Sequence, residues 1–147
     1  MELKIKKFSE LKRQELYKII RSRIEIFVVE QNCPFQDCDD KDQNAFHLFY
    51  TDQDQIAAYL RIIPPNISYQ EPSIGRVLVK KEYRRRGLGL KIMKKAVTFI
   101  KNNMDSTAVR ISAQEYVLEL YQILGFKVVS EMYLEDNIPH YEMLYEL

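Results

Sequence analysis

Apolar and polar residues alternate at the start of the chain and then change to a helical spacing. Residues 3–7 alternate as a half-buried strand does. Ser9 can cap a helix that runs to about Val29. On the buried side of this helix we expect four apolar side chains, namely Leu16, Ile20, Ile24 and Phe27. Residues 32–44, which include Pro34 and four aspartates, are typical of a loop.

The middle of the chain predicts three strands and a long helix. Residues 45–51 and 55–63 indicate a hairpin, and Pro64-Pro65 ends its second strand. Residues 73–79 predict the next strand. Residues 88–101 give the clearest helix, because all their apolar side chains fall on one side and the lysines occupy the other.

The last third of the chain returns to shorter elements. Residues 108–113 predict a strand, and residues 116–124 predict a short helix that Gly125 ends. Residues 127–133 and 141–145 predict closing strands. This order predicts an α+β (α/β three-layer) fold, in which helices flank a mixed, mostly antiparallel central sheet. We expect a single domain spanning residues 1–147.

Length, charge and cysteine content narrow the class of protein. A chain of 147 residues with 46% apolar and 29% charged residues is typical of a globular protein, and its net charge is only +1. The longest apolar run near the N-terminus, residues 26–29, is too short for a membrane span or a signal core. We therefore expect a soluble, cytoplasmic protein. Cys33 and Cys38 complete neither a disulfide framework nor a zinc site, so we expect two reduced thiols and no metal.

A basic, glycine-containing loop joins the strand at 73–79 to the helix at 88–101. Its sequence is Arg84-Arg85-Arg86-Gly87-Leu88-Gly89, and it holds two of the four glycines of the chain. A helix N-terminus presents unpaired N–H groups to anions, and glycine lets the backbone approach a phosphate. The spacing excludes the P-loop NTPase pattern and the dinucleotide fingerprint. A phosphate site and a solvated basic turn that caps the helix remain the two interpretations.

Two motifs carry a resemblance to a known superfamily. Arg84, Gly87 and Gly89 match the acetyl-CoA motif Arg/Gln-x-x-Gly-x-Gly/Ala, and Leu120-Tyr121 before Gly125-Phe126 matches a later signature. Through these motifs the chain resembles the GCN5-related N-acetyltransferase (GNAT) superfamily. Further segments, residues 27–37 and 135–140, resemble its ElaA-like branch, whose members are known mostly as predicted acyltransferases. The resemblance implies transfer of an acetyl group from acetyl-CoA to an amine, and it does not identify that amine.

The resemblance also implies how acetyl-CoA is held. Backbone groups of residues 77–79 would pair with the pantetheine arm like an added strand, and an N–H near Val79 would face the thioester oxygen. N–H groups of the basic loop would bind the diphosphate. Gln114 stands where many superfamily members have an asparagine that helps to hold the cofactor. The implied cofactor-binding residues are Val77, Leu78, Val79, Arg84, Arg85, Arg86, Gly87, Leu88, Gly89, Leu90, Gln114 and Tyr121.

Three side chains are candidates for proton transfer. The resemblance implies that Tyr121 protonates the departing thiolate, although a tyrosine on a helix face is often only a packing residue. Glu30 could accept the ammonium proton through water, or it could simply pair with neighbouring amides or an arginine. His140 is the other candidate base, and either His140 or His47 could line the acceptor pocket or be structural. Water alone could also relay the proton.

Other charged or polar positions bear on the acceptor. Arg61, on an otherwise apolar strand, either points to solvent, which the alternation favours, or binds an acidic substrate group. Four aspartates form an acidic loop that we expect to be solvated; they are Asp37, Asp39, Asp40 and Asp42. A further hypothesis is that this loop attracts cationic acceptors such as polyamines.

The ElaA-like branch usually has glycine where this chain has Asn137. Asparagine tolerates a left-handed turn, so we expect the loop to keep its shape.

Two other classes of function remain open. One is a non-catalytic module that senses acetyl-CoA and acts through a protein partner. The other is nucleic-acid binding by basic residues 80–95, which ranks last because Tyr83 is the only aromatic residue among them. We therefore expect a coenzyme A thioester and an amine as partners, with no nucleic acid and no membrane. The sequence leaves a homodimer open.

Overall fold

The computed structural model describes residues 1–147 and has three α-helices and eight β-strands. The strands are β1 (Glu2–Lys7), β2 (Phe46–Asp52), β3 (Gln55–Ile63), β4 (Ser73–Val79), β5 (Ala108–Gln114), β6 (Lys127–Val128), β7 (Tyr133–Glu135) and β8 (Ile138–Glu146). The helices are α1 (Arg13–Arg23), α2 (Leu88–Asn103) and α3 (Leu118–Leu124). None of the helices combines the length and the apolar character needed to cross a bilayer.

The strands form two antiparallel sheets that lie side by side. One sheet has the order β1-β2-β3-β4, and the other has the order β5-β8-β6, with β7 also paired to β8. The two sheets meet at β4 and β5, where the Arg110 N–H donates to the Pro72 carbonyl at 3.0 Å. No ladder of hydrogen bonds continues along these two strands, so a slot opens between them beyond this point.

Helices cover both faces of the first sheet because the side chains of β3 alternate. Leu60 and Ile62 belong to the larger apolar core, which includes Ile92 and Ile100 of α2. Tyr59 belongs to a second, smaller core on the opposite face, together with residues of α1. This alternation follows from the period of two along a strand. The three-layer α+β fold that the sequence predicts is therefore confirmed.

The first helix differs from its prediction at its start. It begins at Arg13 rather than at Ser9, because the Glu15 carboxylate accepts a hydrogen bond from the Lys12 N–H at 2.8 Å and caps the helix there. Ser9 lies in the preceding 3₁₀ turn, Phe8–Glu10.

The buried side of the first helix was predicted only in part, since Leu16, Ile20 and Phe27 are no more than half-buried. Ile19 and Arg23 face the core, whereas Ile24 is 42% exposed. A charged side chain occupies an inward position, so the apolar residues alone do not mark the buried side. Beyond Arg23 the chain continues as a π-helix, Ile24–Glu30, in which the wider i→i+5 turn shifts the periodicity again.

The closing strands also differ from their prediction. Residues 127–133 were predicted as one strand, but β6 ends at Val128 and β7 begins only at Tyr133. The break lies at Ser130, whose hydroxyl accepts a hydrogen bond from the Glu142 N–H at 2.8 Å and so replaces a backbone partner in the ladder. The last strand, β8, is longer than the predicted 141–145. The short helix before them begins with a 3₁₀ turn, Glu115–Val117, and becomes α-helical only at Leu118.

Candidate active site

The slot between β4 and β5 opens into a cleft of about 590 Å³. Its walls come from residues 73–77 of β4 and 111–114 of β5, from Tyr121 of α3, and from the loop that follows the first helix. The β7–β8 hairpin closes one side with Glu135, Ile138 and His140. The cleft is thus bordered by two strand edges and by several polar side chains.

Strand β4 is irregular where it borders this cleft. Two of its residues, Arg76 and Val77, stand opposite the single residue Leu60 of β3, which makes a β-bulge. Arg76 has a φ of 53°, in the left-handed region that non-glycine residues seldom adopt. The bulge therefore breaks the regular ladder of β4 beside the slot, where Gly75, Arg76 and Val77 all line the cleft.

The basic loop ends at the N-terminus of α2, as the sequence predicts. Gly87 is the residue before the helix and has a φ of 71°, a conformation that favours glycine. The first helical bond runs from the Lys91 N–H to the Gly87 carbonyl at 3.1 Å, and no side chain caps this end. The N–H groups of residues 88–90 consequently have no partner within the helix. The side chains of Arg84, Arg85 and Arg86 are exposed around them.

Gly89 packs between the end of β4 and α3. A methyl group placed on its Cα would lie 3.7 Å from Val79 Cγ2 and 3.9 Å from Leu120 Cδ2, which is ordinary van der Waals contact. A larger side chain would have to displace one of these neighbours or project into the space in front of the helix. The two sequence motifs, one at Gly87 and Gly89 and the other at Leu120-Tyr121, are therefore adjacent in space.

Tyr121 reaches the cleft from α3. Its side chain is only 7% exposed, and burial raises the pKa of its hydroxyl. Gly125, with a φ of 112°, ends the helix and turns the chain back so that the Phe126 ring packs 6.1 Å from the Tyr121 ring. No protein group hydrogen-bonds the Tyr121 hydroxyl. The tyrosine is thus both a core residue and a protonated phenol that borders the cleft.

Glu30 and Arg84 form a bidentate ion pair outside the cleft. Arg84 Nη1 and Nη2 lie 2.6 and 2.7 Å from the two Glu30 carboxylate oxygens, and Arg84 Nε donates to the Val79 carbonyl at 3.0 Å. The hydrogen bonds from Arg84 lower the pKa of Glu30. A carboxylate in this state is a weaker proton acceptor, so the role of Glu30 as a base stays a prediction that its position does not favour.

Gln114 lies at the end of β5 and is paired with a residue that the sequence did not single out. Its amide and the Gln31 amide exchange hydrogen bonds of 3.2 and 3.3 Å, and Gln31 also contacts the Tyr116 hydroxyl at 3.3 Å. Gln31 appears in the sequence only as part of the segment at 27–37. Nothing in its own spacing indicates that it bridges to β5.

His140 lines the cleft, whereas His47 does not. The His140 side chain is nearly buried; Nδ1 lies 2.7 Å from the Ile138 carbonyl and Nε2 lies 3.3 Å from Glu135. His47 is fully buried between the Tyr59 hydroxyl at 2.8 Å and the Asp42 carbonyl at 3.0 Å. Burial is the main cause that lowers the pKa of His47. His47 is therefore structural, and His140 is the histidine of the cleft.

Arg61 and three of the four loop aspartates were predicted wrongly, whereas Asp40 is exposed, as expected. Instead of being solvated, Arg61 and those three aspartates belong to an ion-pair network of three arginines and three aspartates, namely Arg23, Arg61, Arg76, Asp37, Asp39 and Asp42. Burial works against the charge on Asp42, but hydrogen bonds from Arg23 and Arg61 outweigh it and lower the pKa of this carboxyl. The paired aspartates are compensated within the network, and this speaks against the loop as a site for cationic acceptors.

The two thiols and the turn at Asn137 agree with the sequence analysis. Cys33 and Cys38 are free. Asn137 has a φ of 62° and Asp136 a φ of 50°, so the β7–β8 turn is left-handed at both central residues. No cluster of side chains in the structure could hold a metal ion.

Comparison with known proteins identifies the family. Residues 9–147 match the family model described as an acetyltransferase (GNAT) domain. The chain belongs to the GNAT acetyltransferase family. Among its relatives, it is 40% identical to a UPF0039 protein of Schizosaccharomyces pombe, over 100% of this chain and 98% of that protein. It is 36% identical to the protein ElaA of Escherichia coli, over 95% of this chain and 92% of ElaA.

Solved GNAT structures have the same architecture. An acyl-CoA N-acyltransferase from Pseudomonas aeruginosa superposes with a TM-score of 0.91 at 36% identity, covering 99% of each chain. The structure of Escherichia coli ElaA superposes with a TM-score of 0.91 at 34% identity, covering 99% of this chain and 100% of that one. The predicted membership of the ElaA-like branch is confirmed, and the GNAT chain described here is an acyltransferase.

Proposed function

We propose that this protein transfers an acetyl group from acetyl-CoA to the amine of a small molecule or a peptide by direct attack on the thioester. The observation that carries the proposal is the slot between β4 and β5: β4 borders it, contains a β-bulge, and ends at Val79 beside Gly89 in the uncapped first turn of α2. An extended ligand arm fits between two unpaired strand edges, and a diphosphate fits the free N–H groups at the helix start.

The residues present fit a coenzyme A thioester. Residues 77–79 belong to β4, whose second edge has no strand partner, and their backbone groups would pair with the amides of the pantetheine arm. N–H groups of residues 88–90 and the exposed arginines before them would hold the diphosphate. The bulge at Arg76 and Val77 frees backbone groups from regular pairing, and an N–H there would donate to the thioester oxygen as negative charge develops on it.

Tyr121 is proposed as the general acid. It borders the cleft next to Leu120, which contacts Gly89 in the first turn of α2, and its pKa is raised, so that it is protonated at neutral pH. A phenol of this kind can give its proton to the departing thiolate. Of the two candidate bases, His140 shares the cleft with Tyr121, whereas Glu30 is paired with Arg84 outside it.

The ion pair between Arg84 and Glu30 affects the affinity that we expect for acetyl-CoA. Its guanidinium is already held by Glu30 and by the Val79 carbonyl. A phosphate that recruits Arg84 must compete with Glu30, and removal of the carboxylate in Glu30→Gln should therefore strengthen the binding of acetyl-CoA rather than weaken it.

The proposal is tested by two measurements on the unmodified protein. Acetyl-CoA should raise the melting temperature in a concentration-dependent way, because a ligand that binds only the folded state stabilises it. Free thiol should then appear when a panel of amines and dipeptides is added. Binding without thiol release on any amine would contradict the enzyme and favour a sensing module, and absence of binding would contradict both.

A further inference from the structure

The β7–β8 hairpin places two hydrogen-bond acceptors against each other at the wall of the cleft. His140 Nδ1 lies 2.7 Å from the Ile138 carbonyl oxygen, which can only accept, so Nδ1 carries a proton. In the neutral ring the second nitrogen, Nε2, then has only a lone pair. It lies 3.3 Å from Glu135 Oε2, which also only accepts when it is ionised. These two atoms hydrogen-bond to each other directly only when the imidazole carries a second proton; beside a neutral ring, each accepts from a donor in the cleft.

No neighbouring protein group supplies that donor. Tyr133 stacks on the His140 ring with centroids 6.0 Å apart, but its hydroxyl is hydrogen-bonded to Ser112. Gln114, which is opposite His140 in the β5–β8 register, is paired with Gln31. Beside a neutral ring, both acceptors are therefore open to solvent or to a ligand that carries N–H groups.

The charges in the cleft indicate which ligand fits. Asp39 forms an ion pair with Arg61, and Arg76 forms one with Asp37. Glu135 has no lysine or arginine partner, and its only charged contact is with His140. Its carboxylate is therefore available for a cation at a place where a nearly buried imidazole, 6% exposed, faces the same space.

We propose that Glu135 and His140 form the subsite for the attacking amine, which binds as a protonated primary amine. This inference rests on the proposed acetyl transfer. The ammonium group donates one hydrogen bond to Glu135 and a second to His140 Nε2, so that one ligand group serves both acceptors from the cleft side. Glu135 fixes the preference for a charged amine, and His140 removes the proton that would otherwise prevent attack.

The protons balance in this scheme. The ammonium gives one proton to His140 Nε2, which passes it to solvent, and the neutral amine then attacks the thioester carbon. The C–N bond forms, the C–S bond breaks, and the nitrogen loses a second proton to water as the amide forms. The thiolate takes the proton of Tyr121, and the phenolate regains one from water. The products are the amide, the thiol and one released proton.

The test compares two amines in a thiol-release assay at neutral pH. n-Butylamine is protonated under these conditions, whereas methoxyamine is uncharged and needs neither an ammonium subsite nor a base. In Glu135→Gln we expect the KM for n-butylamine to rise roughly tenfold or more, because a charge-assisted hydrogen bond is lost. The KM values for methoxyamine and acetyl-CoA should change by less than about threefold. Glu131→Gln, an exposed neighbour outside the cleft, is the matched control.

His140→Gln provides a second measurement. It should lower kcat/KM for n-butylamine by roughly 100-fold, the lower end of what a general base contributes, and should affect methoxyamine far less. A thermal shift with acetyl-CoA shows whether this variant is folded; if it is not, Glu135→Gln alone decides. Equal effects on both amines, or no effect of Glu135→Gln, would overturn the subsite alone. Failure of the unmodified protein to release thiol with these two amines and with every amine and dipeptide of the panel would overturn the proposed function itself.

Discussion

Asp42 offers the sharpest test of the ion-pair network. One of its carboxylate oxygens accepts hydrogen bonds from Arg23 Nη1 at 2.7 Å and from Arg61 Nη1 at 2.9 Å. The Asp42 side chain is 8% exposed and that of Arg23 is 0% exposed. Asp42→Asn keeps the shape of the side chain but removes its charge, so that two buried guanidinium groups lose a shared partner.

The expected magnitude follows from this burial. Removal of one partner from a buried ion pair costs about 3–5 kcal/mol when the other charge stays buried without compensation. Because Arg23 keeps Asp37 and Arg61 keeps Asp39, we expect the lower end of this range. A domain of ordinary stability has about 5–15 kcal/mol in total. We therefore expect urea unfolding at pH 7 to show that Asp42→Asn loses a large part of the free energy of unfolding. Glu71→Gln, which breaks a half-buried pair with Arg110, should lose much less, about 1 kcal/mol.

The pH dependence gives an independent check on the same variant. The folded state lowers the pKa of Asp42, so this carboxylate contributes stability above its ordinary pKa of about 3.9, and the contribution is lost as the pH falls through the lower, folded value. The difference between the parent and Asp42→Asn should thus shrink below about pH 4. A loss under about 1 kcal/mol at pH 7, or a difference that does not change with pH, would refute the reasoning.

Three further predictions concern the site and its support. Tyr121→Phe should lower kcat roughly 100-fold, with acetyl-CoA affinity by calorimetry nearly unchanged; Tyr17→Phe, on an exposed tyrosine, is the control, and an unaltered kcat would exclude Tyr121 from proton transfer. Gly89→Leu should abolish acetyl-CoA binding while Gly89→Ala folds normally, and equal affinities would argue against a diphosphate at α2. Gly125→Ala should lower the free energy of unfolding by about 1–3 kcal/mol, because its φ is 112° and the new Cβ would lie 3.0 Å from Tyr145; an unchanged melting temperature would contradict this.

The elements best predicted from the sequence are those whose pattern is decided locally. Strands β3 and β4 were predicted with their observed bounds, because apolar runs and flanking prolines define them. Helix α2 was predicted because its lysines all face solvent. The first helix was harder, since Arg23 faces inward only through partners on a loop more than ten residues away. An ion pair between residues that are far apart in the sequence leaves no periodic pattern of apolar and polar residues.

The candidate site divides in the same way. Glycine spacing indicated the start of α2, and a Leu-Tyr pair indicated Tyr121; the two motifs meet in the structure where Leu120 packs against Gly89. Glu135 and Gln31 were not singled out, because their importance depends on which strands come to lie side by side. His140 was a candidate by residue type, but only the β5–β8 register puts it beside Gln114 at the cleft.

The gap between β4 and β5 leaves two strand edges without partners in the middle of the protein. Exposed edges usually invite pairing with other chains, and proteins protect them with charges, bulges or coverings. Here both edges point inward across a narrow opening, flanked by helices and by the β7–β8 hairpin. A β-strand of another protein cannot lie flat along these edges, whereas a thin, flexible ligand can enter the slot from its end. The same architecture therefore admits a linear ligand and discourages self-association through these edges.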